Sequence, residues 1–164
     1  MSSTTGDDAS ADASETPILE ANVVIKRPVD EVFAFMNDPA NEPLWQRGTT
    51  SSEYVTEGPV RVGTKGRSVS RQLGRTVTNE WTITEYEHNR LMASDIQMGD
   101  FRLRSKWRYE SVPEGTRVVR TEEPIGDLDT LASVHGRLPQ PLILRVRQGD
   151  LEAELQNLKR LLEA

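Results

Sequence analysis

The spacing of hydrophobic residues changes once along this chain. From Phe101 to Tyr109 every second residue is apolar or uncharged: Phe101, Leu103, Ser105, Trp107 and Tyr109. The residues between them are Arg102, Arg104, Lys106 and Arg108, with Glu110 beyond. A period of two buries one set and solvates the other. Val77, Asn79, Trp81 and Ile83 separate in the same way from Thr78, Glu80, Thr82 and Thr84. Over residues 141–163 the period lengthens, and Leu144, Leu151, Leu155, Leu158 and Leu162 fall in one narrow arc, the seam of an amphipathic helix. At about 1.5 Å of rise per residue that helix is a rod of roughly 35 Å, so something broad must lie against it. The seam is broken by Arg147 and Gln148, while Leu142, Ile143, Leu144 and Val146 make the first turns apolar almost all round. The C-terminal half therefore predicts core packing, and the N-terminal half predicts the wall of a partly wet space. Gly149, between the halves, predicts a bend or a close contact, since it costs up to ~1 kcal/mol against Ala.

Ahead of these stretches, residues 18–26 are rich in Val, Ile and Leu and predict a first strand. Pro28 ends it and opens a short helix over 29–36, with acids in its first turn where the helix dipole favours them. Val29, Val32, Phe33 and Met36 share one face, and Asn37-Asp38-Pro39 stops the helix. The irregular stretch that follows holds Leu44-Trp45, whose apolar bulk is expected to plug the space between helix and sheet. Strands then fit 52–56, 65–72, 76–86, 90–97, 101–112 and 116–123. Turn chemistry separates them at Glu57-Gly58-Pro59, Leu73-Gly74-Arg75, Glu87-His88-Asn89, Met98-Gly99-Asp100 and Pro113-Glu114-Gly115. Short connections between long strands mean an antiparallel meander rather than a doubly wound sheet. The expected fold class is α+β: a curved, antiparallel, seven-stranded sheet wrapped around a long C-terminal helix, with a short helical segment after the first strand.

Composition narrows the field. Residues 1–16 carry four acids, no base and no aromatic or branched aliphatic side chain. They cannot bury enough surface to offset their ordering entropy, so they are expected to be a disordered tail ahead of one domain over 17–164. The net charge of −6 argues against a general nucleic-acid binder. The absence of cysteine rules out a disulfide or a zinc-thiolate site. Two isolated histidines, His88 and His135, do not suggest a metal site, and no cofactor is expected. No apolar run is long enough to cross a membrane, and no signal-peptide pattern opens the chain, so the expected location is the cytoplasm.

Candidate chemistry lies where polar residues interrupt inward faces. Asn79 and Ser105 either meet a ligand or satisfy a neighbouring backbone group, and Trp107 and Tyr109 continue the face of Ser105. Strand 65–72 can be read two ways. If Val69 points inward, Arg67 and Arg71 join it and would bind a carboxylate, phenolate or enolate oxygen; if Ser68 and Ser70 point inward, the arginines are solvated. The apolar residue favours the first. The same choice separates Arg120 and Glu122 from Thr121 and Glu123. The basic row from Arg102 to Arg108 suits anionic headgroups or an acidic partner, or else cross-strand pairing with acids such as Glu80 or Asp95. His135, just before the long helix, is a possible acid or base. No nucleophile elbow, phosphate loop, dinucleotide fingerprint or His-Glu-x-x-His string is present.

The run from Val24 through Ile25-Lys26-Arg27-Pro28-Val29-Asp30-Glu31-Val32-Phe33-Ala34-Phe35-Met36-Asn37-Asp38 to Pro39 resembles the opening of START-like (SRPBCC) proteins of the polyketide cyclase/dehydrase group. Trp45, Val62-Gly63-Thr64, Thr84-Glu85-Tyr86-Glu87 and Gly115-Thr116-Arg117-Val118 fit the same pattern. The resemblance spans roughly residues 18 to 163. It implies a helix-grip fold with a deep apolar cavity between sheet and long helix, and no catalytic set carries over from it. The expected function is binding of a hydrophobic small molecule, lipid, quinone or polyketide-like. A cyclase or dehydratase using the same cavity is the alternative, and a protein-interaction module is a third reading. Residues expected to meet the ligand are Asn79, Trp81 and Arg71 on two strands, and Ser105, Trp107 and Tyr109 on another. Trp45 and Gln148 join them from the helical side. Peripheral membrane contact stays open, as does the oligomeric state.

Overall fold

A computed structural model of the protein describes residues 18–72, 74–131 and 138–164. Its strands are β1 (Leu19–Ile25), β2 (Thr49–Tyr54), β3 (Lys65–Gln72), β4 (Arg75–Glu87), β5 (Leu91–Met98), β6 (Phe101–Val112) and β7 (Gly115–Ile125). Helices α1 (Val29–Met36) and α2 (Glu42–Trp45) lie between β1 and β2, and α3 (Gln140–Glu163) closes the chain. All seven strands form one antiparallel sheet in the order β1-β7-β6-β5-β4-β3-β2. The meander runs unbroken from β2 to β7, and β1 then pairs back onto the last strand. Register shifts at Thr49/Ser51 and Ile83/Glu85 mark bulges, which bend a sheet and increase its twist. The fold is the helix grip expected from the pattern. Strand and helix limits agree with it to within three residues; of the expected plug at Leu44-Trp45, which lies on the short helix α2, Trp45 is buried but Leu44 is 59% exposed, so Trp45 alone fills that place.

Two apolar clusters hold α3 against the sheet. The larger joins Ala21, Val23 and Ile25 of β1, Val32, Phe33 and Met36 of α1, and Val118 of β7 to Leu151, Leu155 and Leu158. The smaller joins Phe101 and Leu103 of β6 to Ile143 near the start of α3. Helix α3 also runs along the free edge of β1. Gln148 and Lys159 donate to the carbonyls of Glu20 and Val24 at 2.9 and 2.7 Å, and the Lys26 amide donates to Glu163 at 2.9 Å. These side chains satisfy edge groups that would otherwise invite another strand. Gly149 is exposed, nothing approaches the place a Cβ would take, and α3 passes through it unbroken. The expected close contact is therefore absent. Gly66 is the glycine that close packing requires, because a Cβ there would stand 1.9 Å from the Trp81 ring.

Candidate functional site

The register fixes which side chains share the inner face, the one toward α3. One row across the sheet is Trp81, Ile96, Leu103 and Pro124. Beside it run Ile83, Ser94, Ser105 and Glu122, and next come Met92, Trp107, Arg120 and Ala21. Toward the β3 end, Ser52, Ser68, Asn79, Met98 and Phe101 line up. Apolar rows thus alternate with two polar centres.

The first centre is Asn79, whose amide nitrogen donates weakly to Ser68 and Ser70 at 3.4 and 3.3 Å, while its Oδ1 has no partner. The second is a buried ion cluster between β7 and α3. Arg120 donates to Glu154 at 2.6 Å and stands 3.0 Å from Glu122. Arg147 grips Glu122 with two bonds of 2.9 and 2.6 Å and reaches Glu154 at 3.4 Å. Glu154 also accepts the Arg47 amide at 3.2 Å, which fastens the link between α2 and β2 onto α3. Burial alone would draw Arg147 down, but Glu122 and Glu154 more than offset it and hold the guanidinium above its usual value. Arg120 lies over the Trp107 ring, 4.3 Å from its centroid, in a cation–π contact. Trp45 meets Trp107 edge-on at 5.5 Å. Glu42 of α2 faces the same region: burial raises its carboxyl above the usual range, opposed by Ser52 and by the charge of Arg120. Burial, with Glu42 nearby, pushes the Tyr54 phenol up to about 12.

The structure gathers part of the expected set. Asn79, Ser105, Trp107 and Trp81 share the inner face, and Trp45 joins them from α2. Tyr109 is also inward, but it packs edge-on to Phe33 at 5.0 Å within the main core, where burial pushes its phenol up. Trp81 packs against Tyr54 at 5.3 Å. Two residues belong elsewhere. Strand β3 turns Ser68 and Ser70 inward, so Arg71 and Arg67 are exposed on the outer face. The single apolar Val69 is outweighed because β3 must match Asn79, directly opposite Ser68, while Arg67 finds Glu53 at 2.8 Å outside. Gln148 caps the β1 edge instead of facing the sheet. In β7 the inward pair is Arg120 and Glu122. The positions of His135 and of residues 1–16 fall outside the described residues. Glu154 and Glu42 carry no marker in the strand pattern. A signal for Glu154 does exist: it stands seven residues after Arg147, on the same flank of the leucine seam.

On the outer face Arg104 pairs with Asp95 at 2.8 Å and Lys106 with Glu85 at 3.1 Å. Exposed pairs of this kind contribute at most about 1 kcal/mol, and they occupy two members of the basic row. A hollow of about 440 Å³ also lies on the outer side, lined mainly by Ser51, Glu53, Arg67, Val69 and Thr78. It lies across the sheet from the Asn79 centre, and its two charged residues already pair with each other. Among the described residues no group of acids and histidines is arranged to hold a metal, and no helix is long and apolar enough to cross a membrane.

Comparison with known proteins matches residues 16–163 to the family described as polyketide cyclase/dehydrase and lipid transport. No curated protein sequence matches. Among solved structures, the Zhui aromatase/cyclase from Streptomyces sp. R1128 is similar with a TM-score of 0.72 at 16% identity, over 90% of this chain and 94% of that one. A START superfamily protein from Mycobacterium smegmatis gives 0.71 at 12% identity, over 89% and 97%. A protein from Thermus thermophilus gives 0.70 at 22% identity, over 88% and 95%. Identities this low speak to the fold alone.

Proposed function

Since the chain belongs to the polyketide cyclase/dehydrase and lipid transport family, we propose that it binds a hydrophobic small molecule between the inner face of its sheet and the first half of α3. The ligand class is lipid, quinone or polyketide-like. The observation that carries this reading is a pair of unpaired oxygens on the inner face, beside its apolar rows. Asn79 Oδ1 and Ser105 Oγ are buried and lack partners, and binding sites for apolar ligands combine such walls with a few placed polar groups. Titration with an apolar fluorescent probe, beside native mass spectrometry of protein purified from its own cells, tests it. Saturable binding and a co-purified lipid, quinone or polyketide are the expected results. A wild-type protein that takes up no apolar probe rejects the reading.

A second reading, an enzyme of the polyketide cyclase/dehydratase type, draws on Glu42. A carboxyl raised by burial keeps its proton closer to neutral pH, as a general acid for enolisation and water loss must. Two of the similar structures carry aromatase/cyclase names, which suits this reading without establishing it. If the chain is an enzyme, Glu42→Gln lowers turnover far more than binding. Loss of binding without loss of turnover points to a carrier instead.

A further inference from the structure

Gly149 has no use inside this chain. It sits within the 24-residue helix α3, where glycine is less favourable than alanine. It is exposed, and nothing lies within 4 Å of the place a Cβ would take. Nor does its backbone adopt the left-handed angle that calls for glycine. The remaining use of a bare backbone is the close approach of another one.

The residues around Gly149 are matched in a particular way. At about 100° per residue, Gly149 lies at the centre of the outward face of α3, with Arg145 and Glu152 on one flank and Val146 and Ala153 on the other. Arg145, Val146 and Glu152 are exposed, Val146 by 56%. Arg145 makes no bond to any described residue, and Glu152 accepts from the Gln148 amide at 3.0 Å. Turned end over end about Gly149 and laid on itself, this stripe sets Arg145 against Glu152 and Val146 against Ala153. Opposite charges meet on one flank and apolar side chains on the other. A parallel arrangement would set Arg145 on Val146 and Glu152 on Ala153, charge against apolar surface. The stripe is therefore its own complement in the antiparallel sense alone.

We propose that a second copy of this chain docks on the outer face of α3, helix against antiparallel helix, with the two Gly149 backbones meeting at a two-fold axis. A two-fold interface requires such self-matching, and an unrelated partner does not. Each Arg145 pairs with Glu152 of the other copy, so the symmetry makes every contact twice. The bare crossing point lets the helices come close enough for Val146 to reach Ala153. One helix pair with exposed ion pairs at its rim is a small contact, and the dimer is weak and reversible.

Sedimentation of the full-length protein from about 10 µM to about 1 mM, the range of weak association, tests it. The apparent mass should rise from one chain toward two. Arg145→Glu and Glu152→Arg place like charges together, and each should weaken association roughly tenfold or more. The two changes combined should restore it. Gly149→Leu should abolish the dimer while leaving the melting temperature of dilute protein unchanged or higher, because leucine is the better helix former. The chain has no cysteine, so oxidised Gly149→Cys should trap a linked dimer. Gln156→Cys should not, since seven residues from the axis on each copy leave the two thiols about 20 Å apart. A single-chain mass at every concentration overturns the proposal. So does a charge exchange that fails to restore association, or undiminished association in Gly149→Leu. Equal linking through positions 149 and 156 overturns the antiparallel register.

Discussion

The two halves of α3 meet the same sheet by different means. In the C-terminal half Leu151, Leu155 and Leu158 are at most 1% exposed and interlock with β1, β7 and α1. Burying a leucine contributes about 1.5–3 kcal/mol, so three in succession fix this half by shape. In the N-terminal half Ile143 alone of the apolar residues is buried, and Leu142 and Val146 are 44% and 56% exposed. Between the halves the contact is ionic, through Arg147 and Glu154. A buried ion pair fixes geometry well but adds little net stability, because desolvation offsets most of its attraction. The C-terminal half is thus anchored by close packing, the middle is positioned by charge, and the first turns touch the sheet through Ile143 alone of their buried residues. Space for a ligand follows most naturally at the end that packing does not fill.

The sharpest way to break this contrast is to remove one member of the cluster. Glu154→Ala should cost about 3–5 kcal/mol, because it leaves the two guanidiniums of Arg120 and Arg147 to share the single carboxylate of Glu122 in a poorly solvated place. Denaturant unfolding reads this directly, and a loss under about 1 kcal/mol would mean the cluster is solvated. Next in size, Leu155→Ala and Leu158→Ala should each cost about 2–5 kcal/mol, the range for large-to-small changes in a packed core. These two losses should also be independent of salt, since they come from packing.

What the sequence shows and hides follows the same division. Period-two alternation in β6 marks Phe101, Leu103, Ser105, Trp107 and Tyr109 as one face, and the structure puts all five there, because a buried face enforces register. The leucine seam likewise marks which half of α3 is core. Strand β3 misleads because Val69 stands alone against two serines whose inward role depends on Asn79, a partner from another strand. Gln148 sits on the helix flank that meets the edge of β1, and that edge is set by the pairing of β1 with β7, invisible locally. Glu154 hides for a related reason: a glutamate among leucines looks like the solvated flank of a helix unless the arginines that pair with it are known.

Glu42 allows a smaller effect to be read through pH. Burial raises its carboxyl in the folded protein above the ordinary 4.5. Well below that value the group is protonated in both folded and unfolded chains and does not affect folding. Above it the unfolded chain ionises first, so the folded protein holds the extra proton and stability declines as pH rises toward the folded value. Glu42→Gln should abolish this decline and leave the variant the more stable of the two near neutral pH. Unfolding midpoints measured across that interval decide the matter. Parallel profiles for wild type and variant would mean that the carboxyl is not raised, and the enzyme reading would lose its acid.

The smallest predicted effect bears on the loosely packed end. Leu142 has the side-chain size of Leu155 and sits in the same helix, so the two differ in surroundings rather than chemistry. With 44% of its surface exposed, Leu142 has less contact to lose and leaves no enclosed cavity when truncated. Leu142→Ala should therefore cost under about 1 kcal/mol, near the range of surface substitutions. The comparison with Leu155→Ala in the same melt removes any contribution from helix propensity, because both changes are leucine to alanine within one helix. A loss at Leu142 equal to that at Leu155 would mean that the first half of α3 is packed as tightly as the second. No room would then remain beneath it, and a ligand would have to enter elsewhere.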